Sequence, residues 1–220
     1  YVEGKKHEEN FPVKLWVNPP VEVYLQGDVA LVPKAVVLGS NEEVFWLSIR
    51  PKEISTYWWG EWSQQDSSEI PMINPKTLLE ALGVAAVDAG PSWSLSNDGA
   101  FDILTKSRQG AVIKKIYVYS CDYLVRKIEY FDIYGQLAVV AELDKYQQIL
   151  EGFFVPASIR ISECANDKPR DSISITLDLE SIKTAQITPK QQNVLFNRPQ
   201  PIGFKHVYKI AGQDWIEQRQ

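Results

Sequence analysis

Between Leu15 and Trp62 the chain leaves room for little except short strands joined by tight turns. Turn-forming residues break it at Asn18-Pro19-Pro20, Gly27-Asp28, Gly39-Ser40-Asn41 and Pro51-Lys52. The runs between them, Leu15-Trp16-Val17, Val21 to Gln26, Lys34 to Leu38, Val44 to Arg50 and Ile54 to Trp59, are rich in β-branched and aromatic residues. Gly, Pro and Asn punctuate strands, and bulky branched side chains suit a pleated surface. Val21, Val23 and Leu25 alternate with Glu22 and Gln26, which gives one apolar face. Val44-Phe45-Trp46-Leu47 is apolar on both faces. A sheet wetted on one side has no use for a second apolar face, so the pattern predicts a cover on both sides. The expectation is that the chain's own helices supply part of that cover and a lipid the rest.

The downstream sequence continues in the same manner. Strands are expected over 101–106, 111–123, 125–133, 137–146, 153–162 and 172–180, and a last one from Phe204 to Ile210. In 172–180, Ile173, Ile175, Leu177 and Leu179 alternate with polar residues, which predicts a strand with one wet face. Two short helices interrupt the strands. Asn74-Pro75 opens the first, with Leu78, Leu79 and Leu82 on one side and Gly83 past its end. Thr188-Pro189 opens the second, which runs to about Leu195. Residues 1–10, the loop from Gln64 to Ser68 and the tail after Gly212 are polar and read as irregular. No strand–helix–strand alternation is visible, which argues against a doubly wound or barrel α/β architecture. The expected fold is mainly β: an antiparallel, strongly curved, open half-barrel of roughly ten strands, with short helices covering its concave side. Residues 1–220 are read as one domain, long enough to bury a core without metal or disulfide.

Chemistry is scarce in the sequence. There is no nucleophile elbow, phosphate loop, zinc-protease helix or dinucleotide fingerprint. The chain holds 2 His, His7 and His206, which leaves little for histidine-based catalysis. His206 alternates with Phe204 and Tyr208 and reads as a hydrogen-bonded structural residue. Glu42, Glu43, Asp98, Glu129 and Asp132 fall in turns or on polar faces, where solvated carboxylates are expected rather than an acid–base pair. Asp167 and Asp171 lack calcium-loop spacing. Cys121 and Cys164 match no metal or redox motif and read as buried thiols, with a disulfide as the alternative. No cofactor is expected. A net charge of −5 with no basic run argues against nucleic acid as a partner. No apolar run approaches the ~20 residues needed to cross a bilayer as a helix. Because the chain begins at Tyr1, a removed N-terminal segment is expected.

What stands out is 7 Trp, 10 Tyr and 8 Phe. Such side chains suit sheet surfaces, lipid interfaces and sugar platforms. One expectation is therefore an apolar pocket for acyl chains between a curved sheet and the leucine-bearing helix, lined by Val23, Leu25, Leu47, Ile49, Trp58, Trp59, Trp62, Leu79 and Leu82. The alternative is a carbohydrate-binding module stacking sugars on Trp58, Trp59 and Trp62. A glycan-cleaving enzyme with two carboxylates is a third reading.

Several stretches resemble the outer-membrane lipoprotein carrier and receptor proteins of the Lol system, the LolA/LolB-like superfamily. These are Lys14 to Pro20, Val23-Tyr24-Leu25, Gly39-Ser40-Asn41 leading into Phe45-Trp46-Leu47, and Leu124 to Gly135. The resemblance implies an unclosed antiparallel barrel plugged by helices, and a non-enzymatic protein whose partners are acyl chains or lipoproteins. It also implies a periplasmic or outer-membrane-associated location in the bacterial envelope, a monomer, and a membrane tether through a lipidated N-terminus upstream. The chain departs from the carrier's pattern at Pro19, where the carrier has a functional arginine.

Overall fold

The computed structural model describes residues 9–29, 31–64, 75–85, 90, 92–164, 174–211 and 214–218. Asn74, the Gln64–Ser68 loop beyond its first residue, Asp167, Asp171 and Ile173 lie outside the described residues, as do most of the N-terminal lead-in and part of the C-terminal tail. Fourteen strands and two short helices are present among those described. The fold is mainly β and almost wholly antiparallel, as expected, but the strands are divided between two seven-stranded sheets, neither closed on itself. The chain forms two compact units: one holds His7–Leu79 and Ala185–Gln220, and the other holds Glu80–Thr184.

The first unit contains β1 (Val13–Asn18), β2 (Glu22–Val29), β3 (Val32–Ser40), β4 (Val44–Ile49) and β5 (Thr56–Glu61). It is completed by β13 (His206–Ala211) and β14 (Asp214–Glu217). The five N-terminal strands form an antiparallel meander in sequence order. β13 then adds alongside β5 in parallel, with Tyr208 opposite Trp58. Nothing in the sequence pattern distinguishes that parallel pairing, because the partner strand arrives about 150 residues later.

Backbone alternation sorts this sheet into two faces. One carries Trp16, Tyr24, Val37, Trp46, Tyr57 and Val207, and the chain closes it itself. Phe196 and Phe204 are buried in the same cluster, with Ile187 and Leu195 packed against it. These four come from the segment around α2 (Pro189–Leu195). α2 starts as the sequence predicts. Thr188 caps it, accepting from the Gln191 amide, while the Gln191 side chain accepts from the Thr188 amide, a reciprocal capping box. Close packing on this face requires a glycine. A Cβ at Gly39 would come within 2.3 Å of Cζ2 of the fully buried Trp46.

Asn41 ties the unit together from the β3–β4 turn. Its side-chain oxygen accepts from the amides of Glu43 and Val44, and its Nδ2 donates to the Phe196 carbonyl. Its own carbonyl accepts from Nε1 of Trp62. The sequence reading identifies Asn41 only as a turn residue.

The second unit holds β6 (Trp93–Asn97), β7 (Phe101–Arg108), β8 (Ala111–Tyr119) and β9 (Val125–Phe131). It continues through β10 (Leu137–Leu150), β11 (Phe153–Glu163) and β12 (Ser174–Asp178). All neighbouring pairs in this sheet are antiparallel. Here the two faces differ as in a half-wetted sheet. A row through Leu104, Ile116, Ile128, Ala141, Ile161 and Ile175 is apolar. The adjacent row on the other face, Lys115, Glu129, Val140, Ser162 and Ser174, is mostly polar. In β12, Leu177 is buried while Ser174, Thr176 and Asp178 are exposed, matching the alternation in the sequence.

Helix α1 (Pro75–Ala81) lies where the two units divide in sequence. Its Glu80 carboxylate accepts from Lys114 Nζ and from the Tyr130 hydroxyl, both at 2.7 Å. Burial drives the Tyr130 hydroxyl well above the ordinary phenol range, helped by the Glu80 charge.

Candidate functional site

The nine residues singled out in the sequence do not form one cluster. Val23, Leu25, Leu47, Ile49 and Trp58 share the second face of the first unit's sheet. Register places Leu15, Leu25, Leu38, Leu47, Trp58 and Tyr208 in one row across six strands. Val23, Leu25 and Leu38 are buried in that row and the next. Leu15, Leu47, Ile49 and Trp58 are only partly buried. Trp62, in the 3-10 turn Trp62–Gln64 after β5, packs its ring 4.6 Å from that of Phe45, which belongs to the same face.

Trp59 is on the opposite face, since adjacent residues of a strand point to opposite sides. It packs against the self-covered core. The Arg198 guanidinium stands 4.1 Å from its ring centre and the Lys209 ammonium 5.0 Å, while Nε1 donates to Gln218. A sugar therefore cannot stack on Trp58, Trp59 and Trp62 as one platform, because the sheet lies between Trp58 and Trp59.

Leu79 is buried in α1. Leu82, just after that helix, lines a recess of about 130 Å³ in the second unit, with Leu124, Leu143, Tyr146, Phe154 and Pro156. Leu143 and Tyr146 line it together although strict alternation would set them on opposite faces. Lys145 between them has a φ of 54°, a left-handed backbone that interrupts the alternation. The Tyr146 hydroxyl donates to the Val125 carbonyl, and burial pushes its pKa up to about 12. A shallower recess of about 240 Å³ lies in the first unit between Trp16 and α2, where Val194 and Leu195 line it. Small-molecule pockets run to roughly 300–1,000 Å³, so each recess is smaller than a whole acyl chain needs.

An aromatic array continues the second face toward its C-terminal edge. Trp58 and Tyr208 stack with ring centres 6.3 Å apart, and Trp215 meets Trp58 edge-on at 6.2 Å. His206 stacks on Tyr208, and its Nδ1 lies 2.8 Å from Glu217 Oε1. His206 is half exposed, so the sequence reading of a structural histidine holds for its hydrogen bond but not for an apolar setting. The sequence reading singles out neither Tyr208 nor Trp215 as a candidate. β14 lies in a stretch too polar to read as a strand, and without it Trp215 has no place.

Asp98, Asp132 and Glu129 have structural partners. Asp98 accepts from the Phe101 amide, and Asp132 accepts from the amides of Tyr134 and Gln136, so both shape turns. Glu129 accepts from Lys127 and from the Tyr117 hydroxyl at 2.7 Å. Burial, with that bond to a carboxylate, pushes the Tyr117 hydroxyl up to about 12. Glu42 and Glu43 are exposed in the β3–β4 turn. Among the described residues no group of three or more His, Cys, Asp and Glu side chains is placed to hold a metal ion. Cys121 and Cys164 are both free, and Cys121 is exposed rather than buried. The strand expected over 111–123 ends at Tyr119, which leaves Cys121 in the following turn.

Comparison with known proteins finds no matching family model and no matching curated protein. Solved structures with a similar backbone course include a domain named for outer-membrane lipoprotein sorting, from Vibrio parahaemolyticus. It is 10% identical, with a TM-score of 0.49 over 77% of this chain and 74% of that one. A LolA superfamily protein from Nitrosomonas europaea is 11% identical, with a TM-score of 0.46 over 80% of each chain. A DUF1329 family protein from Desulfovibrio piger is 14% identical, with a TM-score of 0.42 over 74% of this chain and 72% of that one.

Proposed function

We propose that this chain is a non-enzymatic binding protein of the bacterial cell envelope that holds acyl chains, free or as part of a lipoprotein, against an apolar sheet face. One observation carries the reading. In the first unit one face of the sheet is largely covered by Ile187, Leu195, Phe196 and Phe204, while on the other Leu15, Leu47, Ile49 and Trp58 keep part of their surface open. The envelope location and the lipoprotein form of the ligand rest on the sequence resemblance. Val23, Leu25 and Trp62 back the same face, whereas Leu79 is buried in α1 and Leu82 lines a recess of the other unit, so neither belongs to this site.

The strength of such a site follows from its chemistry. Each methylene moved out of water contributes about 0.8 kcal/mol. Micromolar binding needs roughly 8 kcal/mol, so the ligand must bury about ten methylenes, and affinity should rise about fourfold with each one added. The test is a fluorescent fatty-acid competition series of increasing chain length, with mass spectrometry of lipid extracted from the purified protein. Protein that is consistently empty, together with affinity independent of chain length, would overturn the reading.

The exposure of Trp215, at 47%, beside Trp58 and Tyr208 favours a second reading, a sugar-stacking platform at that edge. It predicts a change in tryptophan emission on titration with glycans and none with fatty acids.

A further inference from the structure

The β10–β11 hairpin extends past its neighbours in the second unit's sheet. β9 pairs with β10 no further than Glu142, and β12 pairs with β11 no nearer the turn than Ser158. Beyond those points β10 and β11 pair only with each other, out to Leu150 opposite Phe153. With a rise of about 3.3 Å per residue, the ribbon from Asp144 to Leu150 is roughly 20 Å long. Its base is braced, because the facing pair Tyr146 and Pro156 lines the recess beside Leu82. Its end is bare. Leu150 is 57% exposed, and Phe153 and Phe154 are 40% exposed each. Exposed polar residues precede them on the shaft: Asp144, Lys145, Gln147 and Gln148. Apolar side chains at the end of a ribbon, with amides and charges below, reverse the usual order for a hairpin turn in water.

From this we infer that the hairpin tip is a shallow membrane-docking element, entering the interfacial region of a lipid bilayer. Size argues for a bilayer over a protein partner. A standard protein interface takes about 800 Å² and 20–30 residues from each side, far more than three side chains offer. A convex tip also needs no shape-matched groove when the acceptor is fluid. The backbone permits shallow entry because strand pairing reaches Leu150–Phe153; a bulge between Gln148 and Leu150 leaves Ile149 without a ladder partner, and with the Glu151-Gly152 turn its backbone polar groups are satisfied in the hydrated interfacial region. Interfacial elements sink about 5–10 Å, equivalent to two or three residues of strand, which places Gln147 and Gln148 at the headgroups. Glu151 at the turn keeps the insertion tilted and shallow, with its carboxylate among the headgroups. This inference is independent of the acyl-chain site, which uses the other unit's sheet.

Flotation of the full 220-residue chain with vesicles tests it, using phosphatidylcholine alone and a phosphatidylethanolamine–phosphatidylglycerol mixture. The wild type should float with both, and less with the anionic mixture because of Glu151 and the net charge of −5. The double variant Leu150→Ser/Phe153→Ser should keep its circular dichroism and fatty-acid uptake while its vesicle-bound fraction falls about tenfold. Glu151→Lys should raise binding to the anionic mixture severalfold. Wild type that ignores vesicles, or a double variant that floats as well as wild type, overturns the inference. So does concentration-dependent self-association that the double variant abolishes without any vesicle binding, since the tip would then be a protein contact. Loss of fatty-acid uptake in wild type would count against the acyl-chain site alone.

Discussion

Replacing Gly39 by Ala is a sharp test of how the first unit is packed. Gly39 lies on β3 opposite Trp46 of β4, and the indole lies across the glycine's backbone. A methyl group there would stand 2.3 Å from Cζ2 and 2.4 Å from Cε2, whereas carbon atoms rest about 3.5–4.0 Å apart. The indole would have to move by more than about 1 Å, yet it is fully buried. Overpacking of this kind costs about 1–3 kcal/mol and sometimes more. Restricting the unfolded chain returns about 0.4–1 kcal/mol. The expected net loss is therefore about 1–2 kcal/mol, or a urea midpoint lower by roughly 0.5–1 M. Tryptophan fluorescence is a suitable probe, since every tryptophan except Trp93 belongs to the first unit. A double-mutant cycle adds the decisive comparison. Trp46→Phe alone should cost about 1–2 kcal/mol: it leaves a void but removes a buried indole N–H that has no hydrogen-bond partner. In Gly39→Ala/Trp46→Phe the new methyl enters the vacated space. The pair should then be at least about 1 kcal/mol better than the sum of the singles. Additive losses, or a neutral Gly39→Ala, would show that the indole does not lie against Gly39.

Glu80→Ala should destabilise the second unit by about 1–3 kcal/mol, because it leaves the Lys114 ammonium and Tyr130 hydroxyl without their shared acceptor in a mostly buried setting. Thermal unfolding followed by circular dichroism would register it, and an unchanged midpoint would contradict the described contact. High pH should act through tyrosines. Tyr57, Tyr117 and Tyr146 are each pushed to about 12 by burial, so their phenols stay protonated in the folded protein after those of the unfolded chain have ionised near pH 10. Their contribution is fully present below about pH 10 and is lost as pH rises through about 12. Ultraviolet titration should show a late-ionising group of tyrosines coupled to alkaline unfolding; a single ionisation step near pH 10 in folded protein would refute the burial.

Local signals in the sequence translated well into structure. The first five strands follow the Gly, Pro and Asn breaks, and the Thr188 cap opens α2 where expected. These features are set by residues a few positions apart. Pairing across long sequence separations was not legible. Nothing around Val207 indicates that it lies parallel to Tyr57, and the split into two sheets follows from that pairing and from which neighbours each strand lacks. The site suffered for the same reason. Five of the proposed residues share a face because they alternate in register, but Trp58 and Trp59 were grouped by adjacency when a strand must separate them. Leu82 was placed with the tryptophans because a helix needs an apolar partner, and the sequence could not say that Leu124, Leu143 and Phe154 would be among its neighbours. Trp215 depends on β14, whose polar sequence gives no strand signal, and Tyr208 on the long-range pairing of β13 with β5.

The parallel join between β5 and β13 also bears on how the polypeptide emerges from the ribosome. Nearly all of the second unit comes from one uninterrupted segment, Glu80–Thr184, whereas the first is assembled from both ends of the chain. The inner segment can settle while translation continues. The meander from β1 to β5 must wait, its indole-rich surface uncovered by Phe196 and Phe204, until more than a hundred further residues have been made. For that interval the nascent chain displays its stickiest surface, and a holdase would have most to gain by binding there.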